Sequence, residues 1–122
     1  MHVSRLAAGP ALGALVALAS GGCGGAPPPT QDQTEAVASL RAAEAVGAEQ
    51  QPQAALHLEL AREQLRTAEI LIDQGKMNEA SGVLMRAKAD ADLAIALANE
   101  SRAREQAEQT RGTIESLQRG LQ

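Results

Sequence analysis

Aromatic residues are missing from this chain: among its 122 residues there is no Phe, Tyr or Trp. Without ring faces it can build neither an aromatic cage for a cation nor a stacking platform for bases or sugars. Positive charge is scarce as well. Eleven Lys and Arg stand against fifteen Asp and Glu, and the formal net charge of -4 disfavours nucleic acid as a partner because phosphate is repelled by such a surface. Cysteine occurs once, so no disulfide can close within the chain. Ala and Leu fill the gap, supplying most of a 44% hydrophobic content in a length that fits one small domain.

The first 22 residues have the pattern of a processed export signal. Arg5 is their only charge, an apolar stretch runs from Leu6 to Ala19, and the small residues Ser20, Gly21 and Gly22 close it. That stretch is 14 residues long and contains Gly9, Pro10 and Gly13, whereas a membrane-spanning helix needs about 20 apolar residues. The single cysteine, Cys23, follows directly. Ser20-Gly21-Gly22-Cys23 resembles the small-residue box of a bacterial lipoprotein signal, with Ser20 where Leu is usual. The resemblance implies cleavage between Gly22 and Cys23, a diacylglycerol on the Cys23 sulfur, and a fatty acyl chain such as palmitate on its new amine. It also implies, with Gly24 after the cysteine, an outer-membrane anchor facing the periplasm. Two or more acyl chains hold a protein stably where one holds it marginally. The alternative for Cys23 is a free thiol that pairs with a second copy.

Cleavage there leaves 100 residues with ten basic and fifteen acidic side chains, a net charge of -5. Residues 23–31, with Gly24, Gly25 and the run Pro27, Pro28, Pro29, form a linker that carries the chain away from a membrane surface. The remainder, 32–122, reads as all-α: an antiparallel helical hairpin or three-helix bundle with a long C-terminal helix. Thr30 with Gln33 and Asp32 with Glu35 fit the capping-box spacing, predicting a first helix over 32–47 with Ala36, Leu40 and Ala43 on one face. Pro52 suits the first turn of a second helix over 52–74, whose Ala54, Leu58, Ala61, Leu65, Ala68 and Ile72 recur at alternating steps of four and three. Gly75 should end it. A third helix over 77–119 carries the matching seam Met77, Ala80, Leu84, Ala87, Ala91, Ala94 and Ala98. A further stripe, Ala103, Ala107, Thr110, Ile114, Leu117 and Leu121, is rotated from that seam by a five-residue step, and the helix is expected to fray at Gly112 and Gly120. Glu100 with Arg104, Arg104 with Glu108 and Glu115 with Arg119 are spaced for ion pairs.

Between Glu35 and Ala98 the sequence resembles the DUF4398 family, a domain of unknown function in exported bacterial proteins and lipoproteins. The residues that carry the likeness are Ala42-Ala43-Glu44-Ala45, Gly47-Ala48, Pro52, Leu60-Ala61-Arg62-Glu63-Gln64-Leu65, Ala68-Glu69, Gly75, Glu79-Ala80, Ala87 and Ala89-Asp90-Ala91-Asp92-Leu93-Ala94. Gln50-Gln51-Pro52 stands where the family often has an aromatic residue before Ala-Pro. The resemblance implies a helical fold and an envelope location, and brings no catalytic residues.

No constellation of side chains points to an enzyme, a metal or a cofactor. His57 has Gln53 and Ala61 four residues away on either side, so no second strong ligand shares its face, and it reads as a solvated surface group. Asp90 and Asp92 diverge on a helix and read as a polar face. Glu59 and Glu63 share a face with Arg62 and Arg66 beside them, an ordinary charged surface rather than an acid and base pair. Ser39, Ser81, Ser101 and Ser116 lack a nucleophile-elbow setting. The expected function is therefore a non-enzymatic, lipid-anchored structural or adaptor module that engages a protein partner or another copy through its Ala/Leu faces. Two alternatives stand beside it: a soluble exported module that binds a ligand or peptidoglycan between its helices, and a coiled-coil oligomer resembling small structural lipoproteins of the outer membrane.

Overall fold

Pro27, Pro28 and Pro29 lack backbone N–H groups, and helix begins as soon as they end. In a computed structural model describing residues 25–122, α1 spans Thr30–Ala45 and its first helical bond runs from the Gln33 N–H to the Pro29 carbonyl at 3.0 Å. The export segment, the cleavage point after Gly22 and Cys23 lie outside the described residues. The start falls two residues before the expected position, and neither capping box forms, because Pro29 occupies the cap with no side-chain bond. Asp32 instead accepts a hydrogen bond from the Ser81 hydroxyl, 49 residues away. The long-range tie takes the carboxylate that would otherwise have served locally.

Gly47 adopts φ 73°, a left-handed conformation that L side chains resist, so α1 ends at Ala45 rather than at 47. A 3-10 turn over Ala48–Gln50, which periodicity does not reveal, then leads to α2, Pro52–Asp73, with proline in its first turn. At the far end Gly75, φ 76°, closes a Schellman motif: its N–H donates to the Ile72 carbonyl and that of Lys76 to the Leu71 carbonyl, both at 2.9 Å. The third helix, α3, runs unbroken from Met77 to Gly120. At 44 residues it is about 66 Å long, and it passes through Gly112 without the expected fraying.

The three α-helices of the described residues run up, down and up. One cluster joins Ala43 and Ala48 to Ala54 and Leu58 of α2 and to Ala94 and Ala98 of α3. A second, nearer the Gly75 turn, joins Ala36 to Ala68, Val83, Leu84 and Ala87. Among the described residues fourteen hydrophobic ones are buried, eleven of them alanine, and the largest fully buried side chains are Leu58 and Leu84. Such a core is made by bringing backbones close, near the lower end of the usual helix separation of about 8 to 10 Å, because alanine has little to fill a wider gap. The expected seams are where the packing occurs: Ala54, Leu58, Ala61 and Ala68 of α2 and Ala80, Leu84, Ala87, Ala91, Ala94 and Ala98 of α3 are buried, while Leu65, Ile72 and Met77 are half-buried. Val83 joins them from just off the seam.

The direction of the helices gives the molecule two distinct ends. The incoming chain meets the bundle beside the Gly75 turn, where Ala26 lines a shallow depression with Gly75, Lys76 and Met77. At the opposite end α3 continues past its neighbours, and every residue from Arg102 to Gln122 is exposed. The overhang from Arg102 to Gly120 is about 28 Å of single helix.

Candidate functional site

Residues flanking the α2 seam meet polar groups on α3. His57 and Gln64 are seven apart and therefore lie on one edge of α2, facing Asp90. The Nδ1 of His57 lies 2.9 Å from Asp90 Oδ1, and the Gln64 amide donates to Asp90 Oδ2 at 2.7 Å. Both side chains of the His–Asp pair are mostly shielded, at 27% and 21% exposure, so His57 is part of an interhelical tie rather than the solvated group its local neighbours suggest. Since Asp90 accepts only, His57 donates from Nδ1. Gln64 Oε1 is buried without a protein partner. Leu71, a further seven residues on, packs against the lower cluster from the same edge. The signal for this tie was the 57–64–71 spacing beside the apolar seam, which a search for ligands four residues apart passes over.

On the other edge of α2, Arg62 gathers three carboxylates. It donates to Glu44 of α1 and Glu49 of the 3-10 turn, both at 2.6 Å, and to Glu59 one turn earlier on its own helix. Those hydrogen bonds, Glu44 first, raise its pKa well above the ordinary arginine value. Glu63 pairs with Arg66 at 2.6 Å. Each carboxylate of the Glu59–Glu63 pair is thus held by its own arginine. Asp92 points away from Asp90, as helical geometry requires, and binds Lys88 at 2.8 Å. That bond, helped by the Ser39 hydroxyl, lowers the Asp92 pKa, and the same bond raises that of Lys88. Both are well exposed, so the pair contributes little to stability. Of the three pairs expected on the far part of α3, Glu100–Arg104 forms. The Arg119 guanidinium instead donates to the Glu115 backbone carbonyl at 3.3 Å.

The serines make local or positioning contacts. Ser101 donates to Glu105 at 3.3 Å, Ser116 to the Thr113 carbonyl at 2.8 Å, and Ser81 to Asp32. Gln51 reaches Glu105 at 3.1 Å, and Arg102 donates to the Val46 carbonyl, so the connection between α1 and α2 is fastened to α3 where the overhang begins. A family model described as a domain of unknown function, DUF4398, matches residues 31–110. The chain belongs to the DUF4398 family. No curated protein and no solved structure matches it.

The DUF4398 match covers the whole three-helix body and the first turns of the overhang, a wider span than the motifs between Glu35 and Ala98 suggested. Within this DUF4398 domain a surface depression of about 350 Å³ is open to solvent and lined by Gln51, Pro52, Leu97, Ser101 and Arg104. None of the described helices is long and apolar enough to cross a membrane. The tie at Asp90 is the polar feature whose loss should be felt most. Asp90→Ala leaves the His57 and Gln64 donors facing a half-buried interface with no acceptor, and should lower the unfolding free energy by about 1–3 kcal/mol, toward the smaller figure where water reaches in. Urea unfolding of the two proteins measures it. An unchanged midpoint would show that Asp90 is merely solvated.

Proposed function

We propose that this DUF4398 protein is a non-enzymatic structural or adaptor module of the cell envelope, lipid-anchored through Cys23 and presenting helical faces to a protein partner or another copy. The observation that carries this reading is the separation of the two ends. The chain coming from Cys23 enters beside the Gly75 turn, and the unsupported part of α3 leaves from the other end of a helix about 66 Å long. An anchored molecule of this shape holds its overhang far from the lipid headgroups, within the periplasm if the anchor lies in the outer membrane. The charged clusters favour a structural role over catalysis, since Glu59, Glu63 and Asp92 are each engaged by a neighbouring cation. A ligand-binding role would have to use an open depression at the edge of closely packed Ala seams.

Intact mass spectrometry of the protein from its native membrane tests the anchor. The expected species begins at Cys23 and carries the added mass of a diacylglycerol and an acyl chain. Cys23→Ser should move the protein from the membrane to the soluble fraction. A full-length unmodified mass, or membrane association that survives the substitution, would refute lipid tethering.

A further inference from the structure

The overhang of α3 carries a complete apolar seam that none of the described residues covers. Ala103, Ala107, Thr110, Ile114, Leu117 and Leu121 are all exposed, the three large ones at 49%, 62% and 88%. The step from Ala98 to Ala103 turns this seam by about 140° from the buried one, so it faces away from α1 and α2. A lone helix of about 20 residues that includes Gly112 and Gly120 is marginal in water unless an apolar face is packed.

We propose that this seam binds the same seam of a second copy, antiparallel, with the overlap centred on residue 112. The occupant is favoured by size and by charge. Small residues lie at one end of the seam and large ones at the other. Reversing one copy therefore places Leu121 of the second copy on Ala103, Leu117 on Ala107 and Ile114 on Thr110, giving six layers of nearly equal volume. A parallel pair would set alanine on alanine at one end and leucine on leucine at the other, which cannot keep one helix separation. Charge makes the same choice. Residues 102–122 hold four arginines and three glutamates, a net of +1, whereas residues 25–101 hold six basic and twelve acidic side chains, a net of -6. An antiparallel pair overlaps the nearly neutral overhangs and keeps the two acidic bodies at opposite ends, about 28 Å apart or more and beyond the Debye length of about 8 Å. A parallel pair sets the two acidic bodies side by side. At the antiparallel dyad, Arg111 of each copy lies beside the other's Arg111, within reach of Glu115 of the second copy. This pairing rests on the adaptor reading above and supplies its partner.

Disulfide trapping of the full chain in the cells that produce it tests the orientation, with the unsubstituted chain, which retains Cys23, as background. Co-production of Ala107→Cys and Leu117→Cys chains should give a covalent dimer on oxidation, and so should Arg111→Cys alone. Leu117→Cys alone should give no more than background. Adding Leu117→Glu to the Arg111→Cys chain should cut the trapped dimer by roughly tenfold or more, since it buries an unpaired charge in the seam. All these positions are exposed in the single chain, so the body is left intact. Trapping by Leu117→Cys alone, no dimer above background from any variant, or capture of a different protein in its place would overturn the proposal. Repeating the Arg111→Cys experiment with Cys23→Ser separates the two readings: loss of the lipid anchor shows in fractionation, loss of the pairing in the trapped dimer.

Discussion

Leu84→Ala is expected to lower the unfolding free energy by about 2–5 kcal/mol, and Leu58→Ala by a similar amount. These are the largest fully buried side chains of the domain, one in each apolar cluster. Around Leu84 stand Ala36, Ala68, Val83 and Ala87, too short to lean into the space a leucine leaves, while Leu65 and Leu71 pack against the cluster only from its half-buried edge. Much of the vacancy therefore persists, and the cost includes both the lost transfer of three buried carbons and the unfilled volume. Small domains have a total stability of about 5–15 kcal/mol, so either substitution removes a large share of it. Urea unfolding should show a lower midpoint with an unchanged slope. In dilute solution, Leu117→Ala on the bare overhang should stay within about 0.5 kcal/mol. Equal losses at Leu84 and Leu117 would mean that the core is elsewhere.

The second large effect has a sign that simple hydrophobicity gets wrong. Ala61→Leu adds apolar carbon at a position with 0% exposure, and counting buried area alone would make the variant more stable. Ala61 lies on the α2 seam, among alanines that set the distance to α3. Three further carbons fit there only if the helices separate or the new side chain leaves its preferred rotamers, at a cost of about 1–3 kcal/mol. Moving the helices apart would also stretch the nearby bonds from His57 and Gln64 to Asp90, which sit at 2.9 and 2.7 Å. Thermal unfolding followed by circular dichroism reads the change. A raised midpoint would show that the seam has slack, and would undo the close-packing account of this core.

Much of the fold was legible because its pattern is repetitive and local. The alternating steps of four and three in α2 and α3 identify the buried faces, and Gly47, Pro52 and Gly75 punctuate the chain for backbone reasons that no tertiary contact alters. The start of α1 was less legible. Two capping boxes fit the letters, yet Asp32 serves α3 instead, and competition between a local and a distant partner leaves no mark in sequence spacing. The polar sites divide the same way. That Glu59 and Glu63 lie beside arginines could be read along one helix, whereas the tie of His57 and Gln64 to Asp90, and the ring of Glu44, Glu49 and Glu59 around Arg62, join residues from different elements.

What the sequence by itself determined, then, is the existence and period of the helices, the small-residue character of the core and the DUF4398 identity, since each depends on residues near one another along the chain. Tertiary structure alone decided which flank of α2 faces which neighbour, where the charged groups find partners, and that the last 28 Å of α3 or so stand clear of the bundle. The reason is geometric: periodicity says that a face is apolar, but the length and direction of the neighbouring helices determine whether anything is there to cover it.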